Sequence, residues 1–85
     1  MKRIIFSGHA ERKLVVLNRH RFSVSKNTII SAIESPDKIE SGYKGRSIAQ
    51  KIIDEGHLIR IIYEDLPEVV RVITFYPGRR ERYET

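Results

Sequence analysis

The stretch His57-Leu58-Ile59-Arg60-Ile61-Ile62-Tyr63-Glu64-Asp65, joined through Leu66-Pro67-Glu68 to Val69-Val70-Arg71-Val72-Ile73-Thr74-Phe75-Tyr76, decides the fold. Both segments are dense in β-branched and aromatic residues, and the link between them is short and holds a proline. That is the composition of two strands of an antiparallel hairpin. Pro77-Gly78 is expected to close the second strand. Reading back toward the N-terminus, Glu55-Gly56 is a tight connection, Arg46 to Asp54 is extended and Lys44-Gly45 is a turn. Lys38 to Ser41 is a candidate for one further short strand.

Before Pro36 the hydrophobic period changes. Ala10, Leu14 and Leu17 fall on one helical stripe, so His9 to about Arg19 is predicted to be an amphipathic helix. Ser7 is placed to cap it, with Glu11 early, near the positive end of the dipole. Ser25 is the second N-cap, ahead of Ile29, Ile30 and Ile33, and Ser35-Pro36-Asp37 ends that helix. Ile4-Ile5-Phe6 is open to two readings, a short edge strand or an ordered lead-in. The expectation is a single α+β domain over residues 1–85, with two N-terminal helices followed by a three- or four-stranded antiparallel sheet.

Composition narrows the function classes. With 85 residues, 40% hydrophobic and 32% charged, the core is lean and the surface wet. The longest apolar run, Leu14 to Leu17, is far below the ~18 residues of a membrane span. The apolar stretch after Lys2-Arg3 is too short for a secretory signal. No cysteine is present, which excludes disulfides and thiolate zinc sites and makes the cytoplasm the expected location. The net charge of +5 is uneven: residues 1–26 carry seven basic side chains against Glu11 alone, and the rest of the chain is close to balanced. A localised positive field attracts polyanions: nucleic acid, an acidic protein partner and, behind these, an anionic membrane.

Several side chains are candidates for chemistry. On the helical wheel His9, Lys13, Val16 and His20 share a flank of the first helix, with Arg12 close by, which sets imidazoles beside phosphate-binding cations. Lys51, Arg60 and Arg71 sit in mid-strand among apolar neighbours, where a rigid cation can hold a phosphate as negative charge builds up. Alternation puts Ala49, Lys51 and Ile53 on one face of their strand and Leu58, Arg60 and Ile62 on one face of theirs. In the last strand it groups Val70, Val72, Thr74 and Tyr76 against Val69, Arg71, Ile73 and Phe75. Which of these faces coincide depends on register. In the tail, Arg79, Arg80 and Arg82 flank Tyr83, a combination suited to unpaired bases and their backbone. Each feature also has a plain structural explanation: a solvated face, strands dressed with cations, a frayed end.

No glycine-rich phosphate loop, nucleophile elbow or metal-spaced histidine pair is present. What remains is a cofactor-free, metal-independent reaction on RNA, in which the 2′-hydroxyl is the built-in nucleophile and the protein supplies proton transfer and positive charge.

Phe6-Ser7, His9-Ala10 and Arg12, the Ser35-Pro36 break, Gln50-Lys51, Leu58 to Tyr63, Val72 to Tyr76 and Arg82-Tyr83 together resemble a family of small bacterial and archaeal proteins. That family is similar to the barnase–EndoU–colicin–RelE superfamily of ribonucleases. The resemblance implies a RelE-like fold and a metal-independent endoribonuclease, the toxin of a toxin–antitoxin pair neutralised by an acidic partner. It implies site positions at His9, Arg12, Lys51, Arg60, Thr74, Tyr76 and Tyr83. The resulting expectation gives proton transfer and phosphate handling to His9, Lys51, Arg60 and Tyr83. RNA contacts go to Arg12, Lys13, Thr74, Tyr76, Arg79, Arg80 and Arg82. The rival expectations are a non-catalytic RNA- or protein-binding module on the same fold and a small domain that forms a homodimer through its sheet edge.

Overall fold

A computed structural model describes residues 2–19 and 24–84. The elements run β1 (Arg3–Phe6), α1 (Gly8–Arg19), α2 (Lys26–Glu34), β2 (Lys38–Ser41), β3 (Ser47–Ile52), β4 (His57–Asp65), β5 (Val69–Arg79) and α3 (Arg80–Tyr83). The α+β class agrees with expectation, but the sheet has five strands, in the order β1-β5-β4-β3-β2, and is mixed. β1 precedes the helices and pairs in parallel with β5, Arg3 opposite Val69 and Phe6 opposite Val72. All other pairings are antiparallel. The expectation of helices first and a purely antiparallel sheet is therefore corrected. A strand four residues long carries too little periodicity to announce its partner, and α1 and α2 carry the chain from β1 at one edge of the sheet to β2 at the other, so that β1 meets β5 only after the rest of the sheet is laid down.

The capping residues behave as their chemistry dictates. Ser7 Oγ accepts from the Ala10 amide at 3.1 Å and donates to the Ile73 carbonyl at 2.8 Å, so one hydroxyl starts α1 and pins it to β5. Ser25 Oγ accepts from the Thr28 amide, and α2 ends at Glu34, before Ser35-Pro36. Between β2 and β3 the chain turns through Lys44 (φ 56°) and Gly45 (φ 77°), two consecutive left-handed residues of the kind a tight hairpin needs.

Ala10 and Leu14 of α1, Ile29 and Ala32 of α2 and Val24 pack on Ile59, Ile61, Val72 and Phe75 to form the core. One irregularity decides which side chains reach it. Ile62 pairs with Thr74 but Tyr63 pairs with Val72, leaving Ile73 as an extra residue in β5. This bulge resets the alternation. Val70 and Val72 lie on the helix-covered face with Phe75, while Thr74 and Tyr76 pass to the other face with Arg60. The simple alternation that grouped Val70 and Val72 with Thr74 and Tyr76 fails at that residue. β5 also continues through Pro77-Gly78 to Arg79, and the tail folds into α3.

Candidate nucleic-acid interface

The face of the sheet turned away from α1 and α2 is organised by Arg60, which is 7% exposed. Its Nε donates to the Tyr76 hydroxyl at 2.9 Å, Nη1 donates to Gln50 Oε1, and Nη2 donates to Glu40 Oε2 at 2.7 Å. The Tyr83 ring, carried by α3, lies over the guanidinium with its centroid 4.6 Å away. β2, β3, β5 and α3 therefore each contribute one side chain around a residue of β4. Burial opposes the charge on Arg60, but Glu40 and the Tyr76 hydroxyl outweigh it and hold its pKa above the ordinary value. Glu40 is held below the usual carboxylate range by Lys38 first and Arg60 second, with Lys38 Nζ at 3.0 Å from its other oxygen.

Gly78 makes the Tyr83 position possible. A Cβ at residue 78 would stand 2.5 Å from the ring Cε2, so any other side chain would push the ring off. Beyond β1, the edge of β5 is open, and Lys13 reaches across it from α1. Its Nζ donates to Thr74 Oγ1 at 3.3 Å and sits 5.8 Å from the Phe75 ring centroid. Partial burial lowers the Lys13 pKa from its ordinary value.

The candidate residues thus divide. Arg60, Thr74, Tyr76 and Tyr83 meet on the open face, with Lys13 at its rim. Lys51 does not join them. It pairs with Ile59, on the helix-covered face, and its Nζ donates to the Ser35 carbonyl at 2.7 Å, where a cation meets the negative end of α2. Register therefore separates Lys51 from Arg60, the two expected to handle phosphate: Ile59, which Lys51 pairs with, and Arg60 are neighbours in β4 and point to opposite faces. His9 and Arg12 are exposed on α1, in the flank that holds Lys13. His20 lies outside the described residues. Arg71 is exposed and faces Glu64 at 3.4 Å. Arg80 is tied down, its Nε donating to Glu84 Oε1 at 2.6 Å and its Nη1 to the Glu55 carbonyl, and Glu84 raises its pKa. Arg79 lies 3.8 Å from Glu81, and Arg82 is exposed.

Around the end of β5 the open face continues into a groove of about 620 Å³ lined by His57, Gly78, Arg79, Arg82 and Tyr83 among others. His57 escapes a reading based on helix flanks and mid-strand cations. Its signal is the spacing Asp54-x-x-His57 around Gly56, which lets one carboxylate close a turn and reach an imidazole. The Gly56 amide chiefly, and His57 next, hold Asp54 below the ordinary carboxylate range. Among the described residues no three His, Asp or Glu side chains come together as metal ligands, and no helix is long and apolar enough to cross a membrane.

Comparison with protein-family models, curated proteins and solved structures finds no match to this chain.

Proposed function

We propose that the protein is a cytoplasmic RNA-binding module on a RelE-like fold, taking single-stranded RNA across the open sheet face and the groove beside α3. The observation that carries this reading is the Tyr83–Arg60–Tyr76 cluster, an aromatic ring held rigidly over a buried guanidinium, with Lys13 at the rim and the exposed Arg82 alongside. Stacking rings beside backbone-tracking cations are the ordinary means of holding unpaired nucleotides. Titration of a fluorescent oligoribonucleotide tests it. Affinity falls steeply with salt, Arg82→Glu together with Lys13→Glu weakens every sequence alike, and Tyr83→Ala costs about 1–3 kcal/mol. Unchanged affinity in these variants would show the cluster to be structural only.

A second reading, a metal-independent endoribonuclease serving as the toxin of a pair with an acidic antitoxin, is favoured by the Lys13–Thr74 bond, which ties the His9-bearing flank of α1 to this face. Arg60 enters such chemistry only by exchanging Glu40 for a phosphate, because each of its three nitrogens already donates within the protein. RNA cut in EDTA to products ending in a 2′,3′-cyclic phosphate, with growth arrest on expression, supports this reading. An inert protein that still binds RNA returns the assignment to the binding module.

A further inference from the structure

Asp54 closes the β3–β4 turn by accepting the backbone amides of Gly56 and His57 on one oxygen, each at 2.8 Å. The turn is complete without the imidazole, yet the same oxygen also lies 3.0 Å from His57 Nδ1. A carboxylate fixed by two backbone donors thus fixes the ring. A neutral imidazole that places its proton on Nδ1 toward Asp54 leaves the Nε2 lone pair free. His57 lines the groove and pairs across the strands with Arg79. Tyr83 belongs to both places: its ring lies over Arg60 and the residue also lines the groove. The groove's volume is in the range that holds a nucleotide. His9, by contrast, has no carboxylate partner among the described residues.

We infer that His57, positioned by Asp54, is a proton-transfer residue acting on the phosphodiester of an RNA strand laid over Tyr83. This rests on the endoribonuclease reading above, and through it on RNA binding. Nε2 takes the proton of a 2′-hydroxyl as the 2′-oxygen bonds to phosphorus. The bond from phosphorus to the 5′-oxygen breaks, and that oxygen takes a proton from water. The hydroxide left behind recovers the proton held on His57, so the products are a 2′,3′-cyclic phosphate and a 5′-hydroxyl. Arg82, and Arg79 beside its Glu81 partner, supply positive charge where the phosphorane gains negative charge. Asp54 acts through His57 and touches no substrate, so it is a positioning residue.

The test uses the full chain, with one oligoribonucleotide for cleavage in EDTA and its 2′-O-methyl analogue, which cannot be cut, for binding. The wild type is expected to bind the analogue and cleave the RNA. His57→Ala should cleave about 10²–10⁴-fold more slowly with analogue affinity unchanged. Asp54→Asn, which keeps the turn, should lower kcat by a smaller factor at unchanged KM and unchanged unfolding midpoint. A His57→Ala protein that cuts at the parental rate overturns the inference alone, whereas a wild type that binds the analogue but leaves RNA intact overturns the endoribonuclease reading and the inference with it. A wild type that fails to bind the analogue overturns the RNA reading and the inference with it.

Discussion

Ile59 and Ile61 on one face of β4, and Leu58 and Arg60 on the other, are all withdrawn from water, but by different partners. The odd-numbered residues meet apolar side chains of two helices, an arrangement that no solute is invited to replace. The even-numbered side is closed by a short terminal helix, one tyrosine and a hydrogen-bonded arginine whose carboxylate partner is about one-third exposed. Burial by apolar packing stabilises without offering a ligand anything, whereas burial by a polar network at the rim of solvent can trade one partner for another. The two faces share a strand and divide the labour: one holds the fold, the other presents chemistry.

The sharpest way to break this comparison is to attack the packed face. Phe75→Ala removes a fully buried ring and should cost about 3–5 kcal/mol, a large part of what a domain of this size has, read as a collapse of the urea midpoint. If the loss is under 1 kcal/mol, the helix-covered face is not the core. On the opposite face, Arg60→Ala strands Gln50 and Glu40 and should cost about 1–3 kcal/mol. Arg60→Met combined with Glu40→Gln should recover part of this loss, because the charge left unpaired is gone as well.

Much of this division could be read from residues alone. The bounds of β4 agree with those expected, because its β-branched run is flanked by Gly56 and by Leu66-Pro67, and the caps Ser7 and Ser25 carry their own local chemistry. The facial assignment of Lys51 and of Thr74 depends on strand register and on a bulge, both set by partners distant in sequence, so neither leaves a local trace. The Arg60 cluster was legible as a cation in a strand, but Glu40 comes from a different strand and Tyr83 from a tail whose composition also suits a frayed end.

Smaller effects sharpen the picture. Gly78→Ala should dislodge the Tyr83 ring and cost about 2 kcal/mol, the size of a cation–π contact withdrawn from water, while raising quenching of tyrosine fluorescence. An unchanged spectrum would place the ring elsewhere. The smallest effect is on pH. Glu40 and Asp54 titrate lower folded than unfolded, so the stability they contribute is present above the ordinary carboxylate range of about 4 and is lost as pH falls through their folded values. Glu40→Gln should flatten the acid limb of the unfolding midpoint against pH, and an unaltered limb would remove the Glu40–Arg60 pair from the balance.

The parallel pairing of β1 with β5 has a consequence for how the chain is made. Arg3–Phe6 find their hydrogen-bonding partners only at Val69–Val72, after every other strand of the sheet has been made. Until those residues leave the ribosome, α1 has no β5 to rest on, and Ala10 and Leu14 wait for a surface still unsynthesised. Folding of this domain is thus a closing of a ring of contacts that waits for β5 rather than a progressive one, and a nascent chain stalled before β5 presents α1 and α2 with their apolar stripes uncovered to whatever chaperone meets it first.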